Sequence, residues 1–194
     1  MGLLAFVALY RLSDLIAAAM STPFLLALGF SNTELGLVNK NVGIAATIAG
    51  ALGGGALVAR FGLWRPLVVF GVAVPLSNLL WAALAVVGKS HALLVATVAV
   101  HDALVGCAIA ALEALLLGLC NRRYSATQYA LLSAAAGLAG RLAAAPSGWL
   151  AARLGWPAFF IASAAAGLVA LALTAPTAGR AIGSPAPTDS PRTS

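Results

Sequence analysis

Six ionisable residues lie well inside long apolar segments of this 194-residue chain. On insertion scales a charge at the centre of a bilayer costs about 2.5–3.5 kcal/mol, so such a residue needs a partner or a water-filled cavity. Three are cations and three are carboxylic acids: Arg11, Lys40, Arg141, Asp14, Asp102 and Glu113. This balanced set is suited to a pathway for protons or charged solutes.

Two of the carboxylic acids share one face of a predicted helix. Asp102 and Glu113 are eleven residues apart, so they point the same way about 16 Å apart along the axis. Asp102 lies near the middle of its segment and either faces a cavity or pairs with a cation of another helix, Lys40 or Arg141. Glu113 either faces the pathway or reaches the interface, where arginines follow at 122 and 123.

The cations also have alternative interpretations. Arg11 and Asp14, at i and i+3, form either a local ion pair that fixes packing or a pair that opens when a substrate or a proton competes. Lys40 lies too deep to reach the interface easily, which favours a cavity. Arg141 stands among glycines and alanines that let helices approach, so it meets either a substrate carboxylate or one from another helix.

The residues for metal, cofactor or covalent chemistry are sparse. Cys107 and Cys120 are 13 residues apart, about 20 Å on one helix, so they cannot form a disulfide with each other. The two histidines show no zinc spacing, and no metal or cofactor is predicted. His101, beside Asp102, is either a proton relay or a hydrogen-bonded packing histidine.

Two short motifs argue against an enzyme. The glycine-rich stretch 50–55 lacks the GK[ST] ending of a phosphate loop and lies inside an apolar segment, which predicts close helix packing instead. Pro146-Ser147-Gly148 lacks the setting of a nucleophilic serine. We therefore expect no catalytic activity.

The composition identifies the elements that position these residues as membrane helices. Hydrophobic residues make up 62% of the chain, charged residues 8%, and the mean hydropathy is +1.01, against roughly 45–50% and 25% in an average soluble domain. The net charge of +6 is dispersed without a basic run, so a nucleic-acid partner is not predicted. The pattern predicts an all-α membrane protein.

Apolar stretches between polar or Gly/Pro punctuation predict six membrane-spanning helices. A capping box, Ser31-Asn32-Thr33-Glu34, marks the start of the second. Residues 1–176 form the predicted transmembrane domain, and the polar segment 177–194 is predicted to be a disordered cytoplasmic tail. The predicted spans are 2–28, 34–59, 64–88, 91–120, 125–152 and 156–176.

The distribution of Lys and Arg predicts the orientation. With both termini in the cytoplasm, the inside loops and tail hold six cations and the outside loops hold two, Lys89 and Arg153. Cations favour the cytoplasmic side. The six on the inside are Arg60, Arg65, Arg122, Arg123, Arg180 and Arg192.

An internal repeat predicts how the six helices are arranged. The segments 58–64 and 151–156, VARFGLW and AARLGW, lie 93 residues apart, each between the second and third helix of a set of three. Three spans are an odd number, so the copies face opposite sides of the membrane, as in inverted 3+3 repeats of secondary transporters. The alternative is chance recurrence of short Arg-Gly turns.

The segment 55–65, GALVARFGLWR, resembles the loop motif of the major facilitator superfamily. The match assigns Gly55, Arg60, Gly62 and Arg65 to a cytoplasmic loop motif. Ala59 stands where that motif usually has an aspartate.

The segment 119–134, LCNRRYSATQYALLSA, together with Ser21-Thr22-Pro23-Phe24-Leu25, Gly29-Phe30-Ser31 and the segment around Lys40, is similar to the AmpG-type muropeptide permeases. This resemblance covers residues from about 10 to 176 and implies the C-terminal six helices of a proton-driven importer of anhydro-muropeptides in the bacterial inner membrane. Related permeases carry acetyl-CoA. It also implies a missing N-terminal half.

Together these observations predict the roles of the ionisable residues. Asp102 is the predicted proton-coupling group, with Asp14 and Glu113 as alternatives, because it has no cation within a turn of its own helix. Lys40, Arg141 and Arg11 are predicted to bind an anionic glycopeptide. The alternative is a six-span scaffold without transport activity.

Overall fold

The computed structural model describes residues 6–7, 9–119 and 125–183, and within these residues the regular secondary structure is helical. Residues 6–7 and 9–10 are helical and lead into the first long helix. The helices are α1 Leu12–Ala27, α2 Asn32–Val38, α3 Ile44–Phe61, α4 Trp64–Val87, α5 His91–Leu119, α6 Ser125–Ala144, α7 Ser147–Leu154 and α8 Trp156–Gly183.

The capping box forms at the start of α2. The Glu34 amide donates to Ser31 Oγ at 3.2 Å, and the Ser31 amide donates to Glu34 Oε2 at 2.6 Å. Two orphan amides at the helix start are thereby satisfied, which confirms the predicted start of this helix.

A π-helical turn, Asn39–Gly43, joins α2 and α3. The three segments form one continuous helix from Asn32 to Phe61. The extra residue of such a turn changes the face that the following side chains present, and such turns are frequent at functional sites. Neither the π-helical turn nor its contacts were predicted from the sequence.

Four helices of the described part are long and apolar enough to cross a membrane: Asn32–Phe61, Trp64–Val87, His91–Gly118 and Trp156–Ala175. Leu12–Ala27 is a shorter apolar helix. The predicted span 125–152 is divided into α6 and α7, because the chain turns at Ala145 and Pro146. Proline cannot donate a backbone hydrogen bond, which favours a break there.

The last helix is longer than the predicted span, since α8 continues to Gly183. The rest of the predicted tail, 184–194, lies outside the described residues. The division at residue 176 remains a prediction.

Small residues bring α3 and α5 into close contact. A Cβ added at Gly54 would lie 2.6 Å from the Cα of Cys107, so only glycine fits there. The thiol of Cys107 donates a hydrogen bond to the Gly50 carbonyl at 3.0 Å. The close packing predicted for the glycine-rich stretch is confirmed at these two glycines, whereas Gly53 and Gly55 have open space.

The two copies of the Arg-Gly repeat have the same backbone conformation. Gly62 ends α3 with φ 77° and ψ 172°, and Gly155 ends α7 with φ 75° and ψ 164°. Positive φ at these values favours glycine. Each glycine is followed closely by a helix, α4 or α8, and these two helices pack against each other.

A buried polar layer divides the core. One apolar cluster surrounds Phe6, Tyr10 and Phe70, and the other surrounds Phe24 and Trp81. On α1, α4, α5 and α8 the polar side chains lie in sequence between the residues of the two clusters. The layer consists of Ser13, Asp14, Ser77, Asn78, His101 and Ser163, all buried.

Candidate functional site

A polar cavity of about 130 Å³ opens beside the polar layer. It is enclosed by α1, α2, the π-helical turn, α4 and α5. The residues that carry its chemistry are Asp14, Asn39, His101 and Asp102, with Trp81 in the wall. Two of the predicted proton-coupling carboxylic acids therefore meet in one cavity.

Asp14 uses its two oxygens for two different partners. Arg11 Nη2 lies 2.9 Å from Oδ2, and His101 Nε2 lies 3.6 Å from Oδ1. The residue is only 6% exposed, whereas the Arg11 side chain is 37% exposed. The ion pair compensates for the cost of burying the carboxylate.

His101 is held by α4. Its Nδ1 lies 2.7 Å from Ser77 Oγ, and its ring meets the Trp81 ring edge to face at 5.9 Å. The sequence placed His101 beside Asp102, but the fold turns its ring to Asp14. Ser77 was missed by the sequence analysis, although a Ser-Asn pair in the middle of an apolar segment was an available signal.

Asp102 is half-buried and packs against the π-helical turn. A Cβ added at Gly43 would lie 2.7 Å from Asp102 Oδ2, so the carboxylate lies close against the backbone of this glycine. Within the part of the chain that the structure describes, Asp102 forms no ion pair with Lys40 or Arg141. The cross-helix pairing considered for it is therefore not present here.

Lys40 lies on the π-helical turn but is exposed. Its neighbour Asn39 lines the first cavity, whereas Lys40 does not. The structure brings the backbone around Lys40 to the site without bringing its side chain into the cavity wall.

A second cavity of about 170 Å³ lies between α1, α5 and α6. Arg11, Glu113, Ser133 and Arg141 contribute its polar groups. The Tyr129 hydroxyl donates a hydrogen bond to Glu113 Oε2. The buried Ser133 Oγ has no hydrogen-bond partner among the described residues, and a bound solute or water could supply one.

Arg11 connects the two cavities. It lines the second cavity and forms an ion pair with Asp14, which lines the first. Asp102 and Glu113 were predicted to share one face, but Asp102 lines the first cavity and Glu113 lines the second. The ion pair of Arg11 and Asp14 joins the walls of these two cavities. Arg122 and Arg123, the other partners considered for Glu113, lie outside the described residues.

The four loop-motif residues lie apart from these cavities. Gly55 has open space around its Cα, and Gly62 is the turn glycine described above. The Arg60 guanidinium lies 5.4 Å from the centre of the Phe61 ring, and Arg65 lines an apolar pocket of about 230 Å³. Gly55 and Arg60 lie within α3, Gly62 lies in the turn, and Arg65 lies in the first turn of α4.

The described residues contain no group of three His, Cys, Asp or Glu side chains that could hold a metal ion. The charged and titratable groups that line the two cavities are carboxylates, guanidinium groups and one imidazole. These groups can bind anions by charge-assisted hydrogen bonds and can exchange protons.

Comparison with protein-family models gave no match, but curated proteins are similar to the chain. The anhydromuropeptide permease of Escherichia coli K12 is 39% identical over 173 residues, 88% of this chain and 35% of that protein. Putative transporter AmpG 1 of Rickettsia prowazekii is 33% identical over 159 residues, 82% of this chain and 36% of that protein. Putative transporter AmpG 4 of Rickettsia conorii is 31% identical over 152 residues, 78% of this chain and 37% of that protein. The chain spans little more than a third of the length of these relatives.

Proposed function

Because the chain belongs to the AmpG-type permeases of the major facilitator superfamily, we propose that it forms part of a proton-coupled importer of anhydro-muropeptides. The names of the similar proteins support transport as its function. The proposed substrate is the one that the name of the E. coli relative gives. The observation that carries the proposal is the convergence of Arg11, Asp14, Asp102, Glu113 and Arg141 on two adjoining cavities.

The proposed architecture is six membrane-spanning helices in two inverted three-helix repeats. The similar backbone conformation at Gly62 and Gly155 supports it, since each glycine precedes the third helix of its set. The pairing of α4 with α8 supports it as well, because corresponding helices of two repeats meet about a shared axis. Both termini lie in the cytoplasm, and the membrane is the bacterial inner membrane.

The proposed roles of the ionisable residues follow the two cavities. Asp102, Asp14 and Glu113 exchange the coupling proton, with Asp102 first because it makes no ion pair among the described residues. Arg141 and Arg11 bind a carboxylate of the glycopeptide in the second cavity, where Ser133 offers a further hydrogen bond. Lys40, exposed on the π-helical turn, contacts the anionic substrate from the side of the first cavity.

The proposed partner is a second, N-terminal half of six helices. Substrate sites of such transporters lie near the middle of the membrane between rocking halves. This chain spans 35% of the E. coli permease, so most of the length of that protein lies outside the matched segment. No nucleic acid, metal or cofactor takes part in the proposed mechanism.

A chimeric permease tests the proposal. In it, this chain replaces the homologous 173-residue segment of the E. coli protein, and uptake of radiolabelled anhydro-muropeptide is measured in proteoliposomes under an imposed proton gradient. We expect uptake by the chimera and none by this chain alone or by the E. coli permease without the segment. A chimera that inserts and folds but takes up no substrate would contradict the proposal.

A further inference from the structure

The His101 ring is a buried titratable group to which the proposed function assigns no role. The residue is 5% exposed and lines the cavity that also holds Asp14 and Asp102. Each of its two nitrogens faces a different helix. Nδ1 faces Ser77 of α4 at 2.7 Å, and Nε2 faces Asp14 of α1 at 3.6 Å.

The hydroxyl of Ser77 determines where a neutral His101 carries its proton. Ser77 has one hydroxyl hydrogen and donates it to the Val74 carbonyl at 2.7 Å. Its oxygen therefore accepts the second hydrogen bond, and His101 Nδ1 is the donor. A neutral imidazole has one N–H, so a ring with its hydrogen on Nδ1 has a lone pair on Nε2.

That lone pair faces a carboxylate oxygen. Asp14 Oδ2 is bonded to Arg11 at 2.9 Å, which leaves Oδ1 toward His101. Two acceptors thus face each other at 3.6 Å, beyond hydrogen-bond distance. One added proton would turn this contact into a charge-assisted hydrogen bond inside the polar layer.

The charged groups around His101 include more carboxylates than cations. Among the described residues, α1 contributes Asp14, Arg11 directly precedes α1, and α5 contributes Asp102. Helix α4 contributes Ser77 and Trp81, neither of which carries a charge. Two carboxylates but one guanidinium therefore lie around the ring among the described residues, and that guanidinium already pairs with Asp14.

We propose that His101 Nε2 and Asp14 Oδ1 together hold the coupling proton, with Ser77 as the positioning residue. This inference rests on the proposed proton-coupled transport. Asp102 takes up the coupling proton from the cavity that it shares with His101 and passes it to the Nε2 lone pair. The imidazolium then donates Nδ1–H to Ser77 and Nε2–H to Asp14, and the proton leaves from Nε2 when the cavity opens to the other side.

Nitrogen NMR of the protein tests this assignment without any transport measurement. The 194-residue chain, ¹⁵N-labelled at histidine and held in lipid nanodiscs, is titrated with pH, and His91→Gln identifies the His101 signals. We expect a neutral Nδ1–H tautomer at high pH and an imidazolium at low pH. A neutral ring with its hydrogen on Nε2, or a ring that stays neutral throughout, overturns the proposal.

Variants of the two partners refine the test. Ser77→Ala removes the acceptor, so the neutral ring should change to the Nε2–H tautomer, whereas Ser77→Thr retains the hydroxyl and should leave the tautomer unchanged. Asp14→Asn replaces the carboxylate that accepts Nε2–H, so the chemical shift of the Nε2 proton of the imidazolium should change, because its charge-assisted hydrogen bond is lost. An unchanged tautomer in Ser77→Ala, or an unchanged chemical shift of the Nε2 proton in Asp14→Asn, contradicts the proposal.

Transport by the chimeric permease separates this inference from the proposed function. His101→Gln should lower gradient-driven uptake by at least about ten-fold, the scale of a lost proton-transfer group, while substrate counterflow continues. If the chimera transports and His101→Gln keeps its uptake and pH profile, the inference fails and the proposed function stands. If the expected NMR titration is seen but the chimera does not transport, the proposed function fails and the proton-binding pair stands.

Discussion

Arg11 Nη2 lies 2.9 Å from Asp14 Oδ2, and this ion pair joins the walls of two charged cavities. Asp14 belongs to the cavity of His101 and Asp102, and Arg11 to the cavity of Glu113 and Arg141. A change in the charge of Asp14 is therefore felt directly by a residue of the second cavity. This relationship connects the proposed proton site to the proposed substrate site.

We expect Arg11 and Asp14 to be energetically coupled. Arg11→Gln leaves a buried carboxylate without its cation and should destabilise the protein, whereas Arg11→Gln combined with Asp14→Asn removes both charges. The free energy of unfolding of the double variant should be about 1 kcal/mol or more higher than the value obtained by adding the two single effects. Reversible unfolding in mixed micelles, followed by tryptophan fluorescence, gives the four free energies of unfolding. Simple additivity would mean that the pair contributes no coupling.

Gly43→Ala should disturb Asp102. The added Cβ would lie 2.7 Å from Asp102 Oδ2, so the carboxylate must move or the π-helical turn must shift. We expect gradient-driven uptake by the chimera to fall about ten-fold or more, the scale of a misplaced functional group. Gly36→Ala is the matched control, because a Cβ there has nothing within 4 Å. Equal uptake in the two variants would show that the position of Asp102 is not critical.

Asp102→Asn should abolish uptake driven by the pH gradient while leaving substrate binding and counterflow largely intact. The amide cannot exchange a proton but has nearly the shape of the carboxylic acid. Uptake and counterflow in proteoliposomes containing the chimera measure the two properties separately. If Asp102→Asn keeps wild-type gradient-driven uptake and Glu113→Gln loses it, the coupling carboxylate lies in the second cavity instead.

Cysteine labelling should confirm the orientation. In a variant in which Cys107 and Cys120 are replaced, a cysteine at Lys89 should react with an impermeant maleimide added outside intact spheroplasts. A cysteine at Arg122 should react only after permeabilisation, because cations are retained on the cytoplasmic side. Labelling at Arg122 from outside would reverse the proposed topology.

Several features could be predicted because they depend on residues close in sequence. The start of α2 follows from Ser31 and Glu34, whose side chains satisfy backbone groups within one turn. Arg11 and Asp14 meet because three residues along a helix bring two side chains to one face. The membrane-capable helices follow from hydropathy alone, which is a sum over neighbouring residues.

Tertiary structure alone decided which groups meet across helices. His101 faces Asp14 rather than its neighbour Asp102, because adjacent residues of a helix point about 100° apart and the packing of α1, α4 and α5 fixes which side chain faces which helix. Asp102 packs on Gly43 because a π-helical turn, invisible in the pattern of apolar residues, changes the face of the helix there. Helix rotation and relative height arise from the close contact of whole surfaces, whereas hydropathy and capping are local. The sequence therefore determined which charged residues lie within the apolar helices, and only the packing of those helices decided their burial and their partners.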